Sequence, residues 1–259
     1  MFKERKNLRK VIAVAICLAG SVTLFAQETG VVINGVTWAT RNVGAPKTFV
    51  ANPEDVGMFY QWNSKIGWTS AVLPSDGTST WNGTWNGGGA TSWETANDPS
   101  PDGWRVPTKV ELDKLFDATK VDFAWTTENG INGGRFTDKT TTASIFLPTT
   151  GLVMNSVNGN FTNTSYSYLW SGTENDSSSA FSIYCFSGGK VSTLYNKACG
   201  ISIRPVKNSS TGINEVSVDT ENAKVTGYFD ILGRKLTEEP TKGIYIIQYD
   251  NGKTKKIMK

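Results

Sequence analysis

Trp68, Trp81, Trp85 and Trp93 stand in Gly- and Asn-rich sequence, and that setting suggests sugar recognition. An exposed indole covers the apolar face of a sugar ring while neighbouring amides bond its hydroxyls. The same rings would equally serve as anchors that pack a long loop onto its domain. A second set is Glu174, Asn175 and Asp176, an acidic–amide–acidic triplet offering the hard oxygens that calcium takes. A polar loop joining two strands has the same composition. The third set is Cys185 and Cys199, 14 positions apart. Histidine is absent from the chain, which removes Ser-His-Asp and Cys-His machinery, His-ligated zinc and the usual general base near neutral pH. The paired carboxylates of a glycosidase have no motif to place them. No catalytic residue is assigned, and the chain reads as a binding protein rather than an enzyme.

Lys3, Arg5, Lys6, Arg9 and Lys10 precede an apolar run over residues 11–25, with Ala26 before Gln27 as a cleavage point. This layout is that of a secretory signal peptide over residues 1–26. The run is shorter than the roughly 20 residues of a membrane span. Ile16 before Cys17 is too bulky for a lipoprotein signal. Removing residues 1–26 takes away five basic and one acidic residue, leaving 21 basic and 22 acidic and a net charge of −1. Such a surface has no excess of cations to neutralise phosphates, so nucleic acid is not an expected partner. Cys17 leaves with the signal. The remaining pair, Cys185 and Cys199, is an even count in an exported chain, which favours one disulfide. Two reduced, buried thiols are the alternative.

The elements that must position these residues follow from turn and cap signals. Asn34-Gly35 between apolar runs predicts a hairpin over residues 30–45. Residues 57–62 read as a buried aromatic strand and residues 68–98 as long loops. Thr108 and Glu111 form a T-x-x-E capping box, and Leu112, Leu115 and Phe116 fall on one face of a helix over residues 108–118. Short strands are expected at 144–147, 151–157, 160–164, 168–171, 180–186, 191–195 and 201–206. All nine tryptophans lie between Trp38 and Trp170. The polar stretch 208–212 therefore reads as a linker, with a tail of three strands over residues 213–259.

The blocks VINGVTWATRNVGA, PEDVGMFYQWN, NDPSPDGWRVPT, FLPTTG, YLWSGTEN and GISIRPVK resemble, in order, those of the Fibrobacter succinogenes major paralogous domain. The resemblance covers most of residues 32–206, which places the domain at residues 27–207, and implies an α+β, C-type-lectin-like fold related to the formylglycine-generating enzymes. Those relatives use two cysteines a few residues apart with copper, a spacing this chain lacks. Family cysteines are replaced by Ser100 and Pro205, and Cys185 and Cys199 then resemble the other bridge of that fold. Trp170 to Asp176 resembles the calcium-binding strand of lectin-like domains, although no Glu-Pro-Asn or Gln-Pro-Asp tripeptide accompanies it. No cofactor is therefore assigned, calcium being the one ion the triplet would suit. VTGYFDILGRKL and GIYIIQYDNGKTKKIMK resemble the C-terminal sorting domain of the type IX secretion system, which makes the secretion machinery the partner expected for the tail. The functional expectation is an exported, non-catalytic protein of the cell surface or medium that binds a glycan or a surface partner. A structural module without a small ligand is the alternative.

Overall fold

The computed structural model describes residues 28–208, 224–252 and 254–258. The expected signal peptide, and all of the linker except Asn208, lie outside the described residues. In chain order the elements are β1 (Val31–Ile33), β2 (Val36–Trp38), β3 (Phe59–Tyr60), β4 (Gly67–Trp68), β5 (Trp104–Arg105), α1 (Lys109–Phe116), β6 (Val121–Glu128), β7 (Ile131–Asp138), β8 (Ser144–Pro148), β9 (Leu152–Met154), β10 (Asn160–Thr162), β11 (Ser167–Glu174), β12 (Ser179–Phe186), β13 (Gly189–Asn196), β14 (Val206–Lys207), β15 (Val225–Asp230), β16 (Lys235–Leu236), β17 (Ile244–Tyr249) and β18 (Thr254–Met258).

The α+β, lectin-like expectation is overturned. Among the described residues strand accounts for 41% and helix for 5%, with one α-helix, so the described structure is mostly β. Its strands form six small antiparallel sheets, ordered β1-β2-β14-β5, β3-β4, β6-β7-β8, β9-β10, β11-β12-β13 and β16-β15-β17-β18. Helix is scarce because one segment alone carries both a cap and a helical apolar face. Thr108 accepts the Glu111 N–H through its side chain, and the Glu111 carboxylate accepts the Thr108 N–H. Arg105 forks onto the same carboxylate at 2.6 and 2.8 Å. The helix then runs for eight residues and buries Leu112 and Leu115.

Among the described residues two hairpins turn on an Asn-Gly pair with both residues at positive φ. Asn34 and Gly35 have φ of 45° and 74°, and Asn129 and Gly130 have 47° and 82°, the left-handed pair that a type I′ turn requires. The second hairpin, β6–β7, lies between the helix expected to end at 118 and the strand expected from 144, where no element is expected. The strand expected at 201–206 is paired as a strand only at its end. Ahead of it, Ile201, Ser202 and Ile203 offer their carbonyls to Tyr60, Trp170 and Val43 in turn. This buried segment therefore ties several elements together instead of extending one ladder.

Two main cores lie on opposite faces of β11-β12-β13. Leu169, Ile183 and Cys185 join Leu112, Leu115 and Phe136 on one side. Tyr168, Trp170 and Ala180 join Tyr60, Trp62 and Cys199 on the other. The expected disulfide is thereby corrected: Cys185 and Cys199 are free, buried thiols in separate cores, with the sheet between them. Burial pushes the Cys199 thiol up to about 11 and raises that of Cys185 as well, so neither is a reactive thiolate near neutrality. Mass spectrometry without reductant should find both cysteines alkylated in denaturant and neither in native buffer. A single species two mass units lighter and refractory to alkylation would show a bridge.

Arg204 has no exposed surface. Its Nε donates to Asn42 Oδ1 at 2.8 Å and one terminal nitrogen to the Ala39 carbonyl at 3.3 Å. The other terminal nitrogen has no partner. Burial lowers its pKa to about 9, the direction expected of a cation held away from water. In the tail sheet, Tyr245, Ile247 and Tyr249 of β17 form a small core of their own with Tyr228, Leu236 and Ile257.

Candidate functional site

The four candidate tryptophans separate into two groups. Trp68, on β4, and Trp81 are 3% and 6% exposed and pack with Phe59 and Val153. Their rings meet edge-on with centroids 5.2 Å apart, and the Trp81 indole N–H donates to the Ser156 carbonyl at 2.9 Å. Gly83 lets this loop dock, since a Cβ there would stand 2.6 Å from the carbonyls of Asn155 and Ser156. Trp81 is therefore a buried anchor, as is most of Trp68. Trp85 and Trp93 are half-buried and lean on Trp62, with centroids 5.9 and 6.0 Å from it. The Trp85 N–H donates to the Trp62 carbonyl at 2.6 Å, and the Trp93 N–H to that of Asn97 at 3.0 Å.

Against both Trp62 and Trp85 lies Lys197, which nothing in the sequence marks out. It is 1% exposed. Its ammonium sits 4.5 Å from the Trp62 ring centroid and 4.3 Å from that of Trp85, within cation–π range of both. The same Nζ donates to Glu174 Oε2 at 2.8 Å. Glu174 is thus committed to a lysine, while Asp176 closes its own turn. Asp176 accepts the backbone N–H groups of Ser178 and Ser179 and the Ser178 hydroxyl. These bonds, led by that from the Ser178 N–H, hold its pKa well below the usual carboxylate range. Asn175 donates to Asp176 and to the Ser179 hydroxyl. The candidate calcium triplet is therefore spent on a lysine and a turn. Among the described residues no three Asp, Glu, Cys or His side chains are grouped to hold a metal ion.

A cavity of about 530 Å³ opens where Trp62, Trp68 and Trp85 meet the amides of Gln61, Asn63, Asn82, Asn86 and Asn97 and the hydroxyls of Ser64, Ser79, Thr80 and Thr84. Its two charged residues are Lys65 and Glu94. Glu94 is already bonded: its carboxylate accepts Asn63 Nδ2 at 3.2 Å and Asn97 Nδ2 at 3.0 Å, and its N–H donates to Asn63 Oδ1 at 2.8 Å. Asn63 sits at φ 56°, a left-handed conformation that asparagine tolerates best among residues other than glycine. The buried indole N–H of Trp68 finds no partner in the protein. Across the Trp93 segment is a second cavity of about 470 Å³, lined by Trp93, Asp98, Trp104 and Arg105 among others. Its Arg105 and Asp98 are bound to Glu111 and to the N–H groups of Ser100 and Val106.

No family model matches the chain, and neither the curated proteins nor the solved structures contain a match.

Proposed function

We propose that the protein is an exported, non-catalytic binding protein that takes a neutral, hydroxyl-rich ligand of glycan type in the 530 Å³ cavity. The observation that carries this reading is the half-buried Trp85 ring standing among five amide and four hydroxyl side chains. Flat apolar area beside neutral polar side chains suits a sugar. Among the described residues the side chains of Asn86 and Thr80 are free of hydrogen bonds, while Gln61, Asn63 and Asn97 already donate within the protein. The site suits an organic cation poorly, because the Glu94 carboxylate already accepts from Asn63 and Asn97 and Lys197 already lies against the Trp62 and Trp85 rings. Binding is proposed to be independent of calcium, since Glu174, Asn175 and Asp176 have other partners. The resemblance of residues 27–207 to the Fibrobacter succinogenes major paralogous domain, and of the tail to a type IX sorting domain, supports placing the protein at the surface or outside the cell. On this reading the tail is a transport address that adds nothing to the ligand site.

A glycan array run with calcium and with chelator tests the proposal. Binding should be unchanged by chelator and about 30-fold weaker in Trp85→Ala, the loss expected of a central aromatic contact. Silence across the array would instead favour the structural module, and signals abolished by chelator would restore a metal.

A further inference from the structure

The molecule guards its long edge strands unequally. A free edge presents unpaired N–H and C=O groups that can template another strand, and charged side chains are the usual protection. Strand β6, the outer strand of its sheet, carries Asp122 and Glu128, and β18 carries Lys255. The outer edge of β11 is occupied, since Trp170 donates its N–H to Ser202. Strand β13 is different. All eight of its residues pair with β12 in unbroken register, from Phe186 opposite Gly189 to Ser179 opposite Asn196, and among the described residues no strand lies beyond it. Counting from the two-residue turn at Ser187-Gly188, the backbone groups of Lys190, Ser192 and Leu194 point away from β12.

The one charge on β13 is turned inward. Lys190 Nζ donates to the Phe116 carbonyl at 3.0 Å and lies 5.0, 5.5 and 6.0 Å from the ring centroids of Phe116, Phe136 and Phe123. Apolar surface flanks the edge on both faces. Leu194 is 45% exposed on one, and half-buried Tyr184, Val191 and Tyr195 lie on the other.

We propose that β13 is a docking edge for a second copy of this chain, joined antiparallel across a two-fold axis into a continuous six-stranded sheet. Identical edges are compatible here because of where the charge sits. With the axis at Ser192 or Thr193, Lys190 faces Leu194 or Asn196, never its own copy, so no like charges oppose one another. Such a contact is isologous and closes on itself, giving a dimer and not a fibre. It is also small for a stable interface, so the dimer dissociates on dilution.

Sedimentation of the full chain over a concentration series tests this. Wild type should show a reversible monomer–dimer equilibrium in the micromolar range. Leu194→Lys, placed at an exposed position, should weaken it at least about tenfold with its thermal unfolding unchanged. Ser192→Cys, made in a chain whose Cys17 is replaced by serine, should give a disulfide-linked dimer under mild oxidant, Cys185 and Cys199 being buried. A wild type that stays monomeric throughout, or a dimer untouched by Leu194→Lys and not trapped by Ser192→Cys, overturns the proposal.

Discussion

Lys197→Ala should destabilise the protein by about 3 kcal/mol, toward the low end of the range for removing one partner of a buried ion pair. The low end applies because Glu174, left behind, is 25% exposed and can recover water. The loss exceeds that of an ordinary surface bridge because the lysine is buried and also packs against two indoles. Without it Trp85 keeps its bond to the Trp62 carbonyl and its ring contact with Trp62 but loses the cation against its face. Urea unfolding followed by tryptophan emission should show a lower midpoint in Lys197→Ala. Glu174→Gln should fall less, since an amide oxygen can still accept the ammonium. A midpoint equal to wild type for Lys197→Ala would mean that the lysine bears no structural load.

Trp81→Ala should cost about 3–5 kcal/mol, the range for a buried large aromatic residue. It removes the edge-on contact with Trp68 and leaves the Ser156 carbonyl without its donor. The substitution therefore reports on folding and says nothing about ligand. Trp85→Ala removes a half-buried ring and should shift the unfolding midpoint less. Measured side by side, the pair separates anchor from contact, and equal destabilisation by both would show Trp85 to be an anchor too.

What could be read in the sequence was local. The T-x-x-E cap fixes α1, and Asn34-Gly35 fixes the first hairpin, because the groups that decide each lie within four residues of one another. Asn129-Gly130 carries the same turn signal, but β7 begins Ile131-Asn132-Gly133-Gly134, which gives no alternating apolar pattern to extend it. Burial of a ring in loop sequence is decided at a distance. Trp81 and Trp85 share Gly- and Asn-rich surroundings, yet one is sealed by Ser156, 75 residues away, and the other is left half open. Lys197 had no local signature, since its partners Trp62, Trp85 and Glu174 lie far from it along the chain. An even cysteine count suggested a bond, but nothing in that count shows that a sheet stands between the two sulfurs.

The first sheet is ordered β1-β2-β14-β5, so its last strand to be synthesised sits inside it. Val206 pairs with Trp38 on one side and Arg105 on the other, and the Asn208 N–H reaches the Gly103 carbonyl at 2.8 Å. A ribosome releasing this chain from its N-terminus cannot complete the sheet until about residue 207 has emerged. Contacts so distant in sequence also form slowly. The fold therefore delays its own closure until nearly all of β1 to β14 has been made. It also places Val31 and Val206 on either side of Trp38, so a circular permutant of residues 30–207 alone, linked between those ends and opened in the Gly87–Gly89 loop, keeps every strand pairing from β1 to β14.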